Sequence, residues 1–168
     1  DMLIWLRADA MGPALTTYTA QNMGAGRWDR VCKGNRIGAA MSVAAVGTVS
    51  LGLYFLTAPL GGLFVPVQDA AAVVPQAVAF MRRMAPFFLF YALAESFSGA
   101  CCGTGDTVRP MILTLLSICL LRVLGILLVL PRQHTMECII DIYISSWIAA
   151  GIGFLILWQW EKNRVQKT

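Results

Sequence analysis

Charge is scarce in this sequence. Charged residues make up 13% of its 168 positions, whereas hydrophobic residues make up 58%. Soluble domains carry about 25% charged residues, and the mean hydropathy of +0.68 is high for a soluble chain. This composition excludes an ordinary soluble domain and indicates a protein that faces lipid.

The motifs on which enzymes and metal sites depend are also missing. The single histidine, His134, has no second ligand at metal spacing, and the five cysteines form no Cys-x-x-Cys pair. Neither Gly-x-Ser-x-Gly nor His-Glu-x-x-His occurs, so no nucleophile or zinc site is indicated. We therefore expect no enzyme activity, no cofactor and no metal centre.

The sequence does contain long stretches almost free of charge. About 20 apolar residues are needed to cross roughly 30 Å of hydrocarbon as a helix. Four stretches are long enough: residues 37–60, 77–102, 108–130 and 138–160. Pro59 and the Gly61-Gly62 pair are expected to end the first, and Pro86 is expected to kink the second. The sequence predicts an all-α, polytopic membrane helix bundle with four full transmembrane helices.

Tryptophan marks the last of these stretches. Trp147, Trp158 and Trp160 lie toward its ends. An indole ring suits the membrane interface, where apolar tails and polar headgroups meet. We expect these three side chains to lie at the membrane borders.

The first 22 residues differ from the four spans. Arg7 and Asp9 leave residues 10–20 as the uncharged run before the polar Gln21-Asn22 pair, and this run is too short to cross a bilayer. We expect residues 1–22 to be a truncated helix, so that the chain begins inside a transmembrane segment of a larger protein. The alternative is a short interfacial helix at the start of a complete small protein.

Cations predict the orientation. Residues 23–36 are expected to form a basic loop, and further cations follow the last span: Arg27, Arg30, Lys33 and Arg36, then Lys162, Arg164 and Lys167. Cytoplasmic segments carry an excess of Lys and Arg, so both regions are predicted to be cytoplasmic. The segment 59–76, which holds Asp69 and no cation, is predicted to be outside.

The basic series also bears on partners. Its spacing of three would place cations along the headgroups, where they attract anionic membrane lipid. Nucleic-acid binding is disfavoured because the cluster adjoins a span and has no interleaved aromatic residue beyond Trp28. Membrane lipid is therefore the expected partner and nucleic acid is not.

Two glycine-containing turns repeat one pattern. The first contains Gln21, Asn22, Gly24 and Gly26, and the second contains Gly103, Gly105 and Asp106. Glycine allows a positive φ or a close approach, and an acid near a helix start suits the helix dipole. A phosphate-binding loop is disfavoured because neither turn has the Walker spacing.

These turns, in their order along the chain, resemble those of the multidrug and toxic compound extrusion (MATE) transporters. The resemblance rests on Gln21-Asn22-x-Gly24-x-Gly26-x-x-Asp29, Ala85-Pro86-Phe87, Ser98-Gly99-Ala100, Gly103-x-Gly105-Asp106, Pro110 and Arg122. It covers nearly the whole chain. No single motif is decisive, but their order and helix-length spacing together are specific.

The resemblance implies a fold of twelve helices in two lobes, with residues 1–168 forming most of the C-terminal lobe. It also implies efflux of drugs or small organic cations by alternating access, coupled to inward Na⁺ or H⁺. The N-terminal lobe of the same transporter would be the partner, and a bacterial plasma membrane the location.

The chain departs from the family pattern at several positions. Cys101-Cys102 stands where members often have Leu-Arg, and residues 143–146 lack a proline that many relatives have. In some relatives the coupling carboxylate aligns near Tyr91, one turn from Glu95. A direct transfer of the ion site to this chain is therefore not straightforward.

Glu95 is the acid deepest in a predicted span. An ionised group near the bilayer centre costs at least a few kcal/mol, so it should face a partner or a wet cavity. A carboxylate can bind Na⁺ or exchange a proton, and Tyr91 and Ser98 could add oxygens. The alternative is a structural Glu95 that hydrogen-bonds a neighbouring helix.

Arg122 is the cation within the third span, and it lies nearer the outer side than Glu95. We expect it to pair with backbone carbonyls or with the other lobe, and only loosely with Glu95. Three functions stay open: a secondary antiporter, a flippase for lipid-linked saccharides with a larger and more cationic cavity, and a nontransporting membrane fragment.

Overall fold

The computed structural model describes residues 2–129, 131 and 135–165, and every regular element in this part of the chain is helical. The helices are α1 (Met2–Gly24), α2 (Trp28–Phe64), α3 (Val67–Met84), α4 (Phe88–Gly103), α5 (Val108–Thr114), α6 (Leu121–Val129) and α7 (Met136–Val165). A 3₁₀ turn, Ala85–Phe87, joins α3 to α4, and a π-helical segment, Leu115–Leu120, joins α5 to α6.

Four segments of the described chain are long and apolar enough to cross a membrane: Trp28–Gly62, Gln68–Gly103, Val108–Val129 and Met136–Val165. They match the four predicted spans in number and order, so the predicted polytopic bundle is confirmed. Helix α1 is 23 residues long but is not among these segments. Three of the segments extend beyond their predicted bounds, and Val108–Val129 lies within the predicted span 108–130.

The predicted basic loop at residues 23–36 is wrong. Helix α1 continues through Gly24 and α2 begins at Trp28, so only residues 25–27 form a turn and the cations of residues 30–36 lie on a helix. Lys and Arg are good helix formers. Their charge keeps these residues out of the hydrocarbon, but it does not end the helix.

The expected helix end at Pro59 and Gly61-Gly62 is also wrong. Helix α2 continues to Phe64, and α3 begins at Val67 instead of residue 77. A β-carbon on Gly61 would lie 3.3 Å from Val74 of α3, so this glycine lets two helices approach. With 37 residues, α2 is about 55 Å long, well above the roughly 30 Å of hydrocarbon.

The predicted kink at Pro86 is confirmed as a break between two α-helices. Proline cannot donate a backbone hydrogen bond, and the chain passes here through the 3₁₀ turn Ala85–Phe87. The Ser50 hydroxyl of α2 donates to the Ala85 carbonyl over 2.6 Å. This bond satisfies a carbonyl beside the break and fastens it to α2.

Helix α4 lies at the centre of the bundle and packs against α1, α2 and α7. One buried cluster includes Val46, Phe88 and Trp147. A second, nearer the C-terminus of α7, includes Phe97, Phe154 and Trp158. By contrast, the α5–α6 segment exposes a long series of aliphatic side chains, as a helix that faces lipid would.

Two of the three tryptophans expected at the membrane borders are in the core. Trp147 is fully buried, and its ring lies 5.0 Å from Phe88, centroid to centroid. Trp158 packs between Trp28 and Phe97 at 6.0 and 6.2 Å. Only Trp160 is exposed, because its position on α7 points away from α2 and α4.

The orientation can be tested by cysteine labelling. Asp69 and Asn163 are both exposed, at opposite ends of the bundle, and each would be changed to cysteine in a protein freed of its five native cysteines. We expect an impermeant maleimide to label Asp69→Cys in intact cells and Asn163→Cys only after permeabilisation. The reverse pattern would contradict the orientation that the cations predict.

Candidate functional site

Glu95 lies in a shallow, open crevice between α1 and α4. The crevice has a volume of about 420 Å³, and its lining includes Gly12, Pro13, Thr16, Ser98 and Cys102. A β-carbon at Gly12 would lie 3.4 Å from the Glu95 carboxylate. The glycine therefore leaves room for this acid against α1.

One turn after Glu95 along α4, at Gly99, the backbones of α1 and α4 are in contact. A β-carbon on Gly99 would lie 2.2 Å from the Gly12 carbonyl oxygen, so a larger side chain is excluded. The Thr16 hydroxyl lies 2.9 Å from the Gly99 carbonyl and 3.0 Å from the Gly12 carbonyl, in position to donate to either. These contacts fix the spacing of α1 and α4 at the crevice.

The four candidate residues divide into two groups. Ser98 lines the Glu95 crevice, as predicted. Tyr91 is buried in the core with its ring 6.2 Å from Trp147, and Arg122 also reaches Trp147, with its guanidinium 5.9 Å from that ring. Tyr91 is not among the residues that line the crevice, and its contribution of an oxygen beside Glu95 stays a prediction.

Arg122 finds its partners on α7. Its Nε donates to the Ser146 hydroxyl over 2.9 Å, and its guanidinium stacks 4.1 Å from the Tyr143 ring centroid. The Ser146 hydroxyl in turn donates to the Tyr143 carbonyl over 2.7 Å. Residues 143–146 thus offer Arg122 a hydroxyl and an aromatic face one helix away, while its Nη2 has no hydrogen-bond partner among the described residues. A backbone or inter-lobe partner for Arg122 therefore stays a prediction.

The first glycine turn ends α1 with a Schellman motif. The Arg27 amide donates to the Asn22 carbonyl and the Gly26 amide to the Met23 carbonyl, each over 2.9 Å. Gly26 has a φ of 66°, as this motif requires. Gln21 and Asn22 also serve the helix end, since the Gln21 carbonyl accepts from Ala25 and the Asn22 side chain donates to the Tyr18 carbonyl. Gly24 is the last residue of α1, with open space beside it.

The second turn uses its two glycines differently. Gly105 has a φ of 95°, whereas Gly103 is needed for a close approach. A β-carbon on Gly103 would lie 2.5 Å from Thr19 and 2.6 Å from the Thr16 carbonyl of α1. Asp106 accepts from the Arg109 amide over 3.2 Å, at the start of α5. The predicted roles of both glycines and of Asp106 at a helix start are thus observed.

A charge cluster at this turn was not predicted. Arg109 lies 2.6 Å from Asp106 and 3.1 Å from Glu161 of α7, and Arg164 lies 3.4 Å from Glu161. The Glu161 side chain is fully buried. The available signal was two acid–base pairs at a spacing of three, Asp106 with Arg109 and Glu161 with Arg164.

The cluster perturbs the Asp106 carboxyl. Burial opposes its ionisation, but hydrogen bonds from the Arg109 amide and the Arg109 side chain, together with the positive charge of Arg109, outweigh burial and hold the pKa of Asp106 below its usual value. The cluster joins the second turn to the end of α7, and Trp28 joins the first turn to Trp158. We call this end of the bundle, where both turns and the α7 C-terminus meet, the basic end.

A buried polar pair between α1 and α2 also escaped prediction. The Asn35 amide donates to the Thr19 hydroxyl over 3.0 Å, and that hydroxyl lies 3.2 Å from the Asn35 side-chain oxygen. Both side chains are buried. Asn35 was expected in the loop of residues 23–36. It lies instead on α2, and that helix brings its side chain against Thr19 of α1.

No group of three potential metal-ligating side chains occurs among the described residues. His134 lies outside the described residues. Within the spans, the charged side chains with described surroundings that could act in transport are Glu95, in its crevice, and Arg122, with its partners Ser146 and Tyr143.

Helices that could span a bilayer, a polar crevice between two of them and an aliphatic outer surface define a multi-pass membrane protein. The MatE family model matches residues 1–128. The chain belongs to the MatE family, whose members are membrane efflux transporters or flippases. This confirms the resemblance inferred from the turns. No curated protein and no solved structure matches the chain.

Proposed function

We propose that this chain is most of the C-terminal lobe of a twelve-helix secondary antiporter in a bacterial plasma membrane. The complete transporter exports drugs or small organic cations in exchange for Na⁺ or H⁺. The N-terminal lobe supplies the opposite wall of the substrate path. Family membership supports transport, and one structural observation supports the coupling: Glu95 lies in the α1–α4 crevice.

The crevice suits a small cation or a proton. Its lining combines the Glu95 carboxylate with the hydroxyl oxygens of Ser98, Thr16 and Thr17. Carboxylate and hydroxyl oxygens are the ligands that hard cations prefer. Thr16 and Thr17 use their hydroxyl protons to donate to backbone carbonyls. The lone pairs of the two hydroxyl oxygens are not used in these bonds.

Charge favours an antiporter of cations over a lipid-linked saccharide flippase. The charged side chain that lines the crevice, among the described residues, is an acid. Arg122 is held by Ser146 and Tyr143 on the α6–α7 side, away from the crevice. A cavity for a pyrophosphate-linked saccharide would need cations that face the path.

Transport by the complete protein in liposomes tests this proposal. We expect an imposed Na⁺ or H⁺ gradient to drive movement of a cationic dye, and the matching ionophore to abolish it. Parallel vesicles with a fluorescent lipid-linked saccharide should show no transfer between leaflets. Saccharide transfer without dye movement would contradict the antiporter and support the flippase.

A further inference from the structure

At the basic end, an open groove runs between α2 and α7. It has a volume of about 500 Å³, with Arg36 and Lys162 at its polar end and Ala39, Ala40, Val43 and Leu155 along its walls. Its floor is closed by Phe97 and Trp158, which are both buried. This groove is separate from the Glu95 crevice, which lies between α1 and α4.

The polar end of the groove carries unbalanced positive charge. No acid lines it among the described residues, and neither Arg36 nor Lys162 has an ion-pair partner in that part of the chain. The neighbouring acid Glu161 is occupied on the opposite side by Arg109 and Arg164. Two cations therefore face the mouth of the groove.

The groove also lies at the depth of a lipid headgroup. The charge-free stretch of α2 begins at Ile37, directly after Arg36, and that of α7 ends at Trp160, just before Lys162. From Arg36 to Val43 the groove extends about 10 Å along α2, into the apolar part of the span. A ligand here must combine an anionic group with an apolar chain.

We propose that this groove is a binding site for one anionic phospholipid. Its phosphate lies between Arg36 and Lys162, and the first part of an acyl chain fills the groove along Ala40, Val43 and Leu155. Basic pockets between transmembrane helices are suited to anionic headgroups. The apolar walls distinguish this ligand from free phosphate, which would leave most of the groove empty.

Native mass spectrometry of the complete protein in detergent, titrated with phosphatidylglycerol, tests the site. We expect one tightly retained lipid, and we expect Arg36→Gln with Lys162→Gln to weaken its binding about 30-fold, the effect of losing two cations at a membrane surface. The charge-matched control Arg30→Gln with Lys33→Gln removes two exposed cations outside the groove and should retain the lipid.

The groove itself is tested by a steric pair of variants. Ala40→Phe fills the groove and should also release the lipid, whereas Ala44→Phe, one turn further along α2 and outside the groove, should not. Phosphatidylcholine should not be retained, and inorganic phosphate should not displace phosphatidylglycerol. Equal losses in both charge variants, or displacement by phosphate, would overturn the proposal in favour of diffuse surface attraction or a simple anion site.

Discussion

Replacing Glu95 with glutamine is expected to reduce ion-coupled efflux by the complete transporter to less than about a tenth of the wild-type rate. Glutamine preserves the shape of the side chain and its capacity for hydrogen bonds but removes the charge. Loss of a charged interaction costs about 1.5–3 kcal/mol, which corresponds to a tenfold or greater loss of ion affinity. The measurement is gradient-driven dye transport in proteoliposomes.

The matched control is Asp69→Asn, which removes an acid from the exposed first turn of α3. It should transport at the wild-type rate. Both variants should reach the membrane in equal amounts. Full efflux by a well-expressed Glu95→Gln protein would instead assign Glu95 the structural role of bonding a neighbouring helix.

Replacing Gly99 with valine is expected to destabilise the complete protein severely. The first added carbon would lie 2.2 Å from the Gly12 oxygen and 2.8 Å from the Gly12 carbonyl carbon, and both atoms belong to the α1 backbone. Backbone cannot rotate away as a side chain can, so α1 and α4 must separate. Overpacking costs about 1–3 kcal/mol even where side chains can adjust, and we expect a larger loss here.

Thermal unfolding in detergent, followed by size-exclusion chromatography, measures this loss. Gly52→Ala is the matched control, because Gly52 is also helical and has open space where a β-carbon would lie. That variant should be as stable as wild type or slightly more stable, since alanine favours helix by up to about 1 kcal/mol over glycine. A Gly99→Val protein with the wild-type melting temperature would mean that the α1–α4 contact is not as close as the structure has it.

Several features could be predicted from the sequence because their causes are local. Four apolar stretches separated by charge or turns defined the spans in number and order. The two positive-φ positions, Gly26 and Gly105, followed from glycine in a turn between two helices. Pro86 broke its helix because proline lacks the amide that the preceding turn needs.

Helix ends could not be predicted in the same way. Charged residues and proline predicted helix ends, but charge only limits the part of a helix that lies in the hydrocarbon. The helix itself continues as long as its backbone hydrogen bonds and its neighbours allow. Residues 28–36 and 59–64 are helical for this reason. The Gly61 approach to Val74 depends on where α3 lies, which is a relation between distant parts of the chain.

The candidate site was predicted in part. Glu95 and Ser98 share one crevice, as their one-turn spacing on α4 suggested. Tyr91, one turn away in the other direction, packs against Trp147 because α7 covers that part of α4. Glu161 was missed, since a residue near the end of a span resembles an ordinary exposed acid until α5 brings Arg109 to it.

The sequence by itself determined that this chain is a multi-pass helical membrane protein, because composition and run length are properties of neighbouring residues. Its turn motifs also resembled those of the MatE family, whose model matches the chain. Only the tertiary structure decided which faces of the helices meet. It placed Glu95 against α1, Arg122 against Ser146, and Trp147 and Trp158 in the core. These contacts join residues far apart in the chain, and they depend on how closely helices approach at positions such as Gly99 and Gly103.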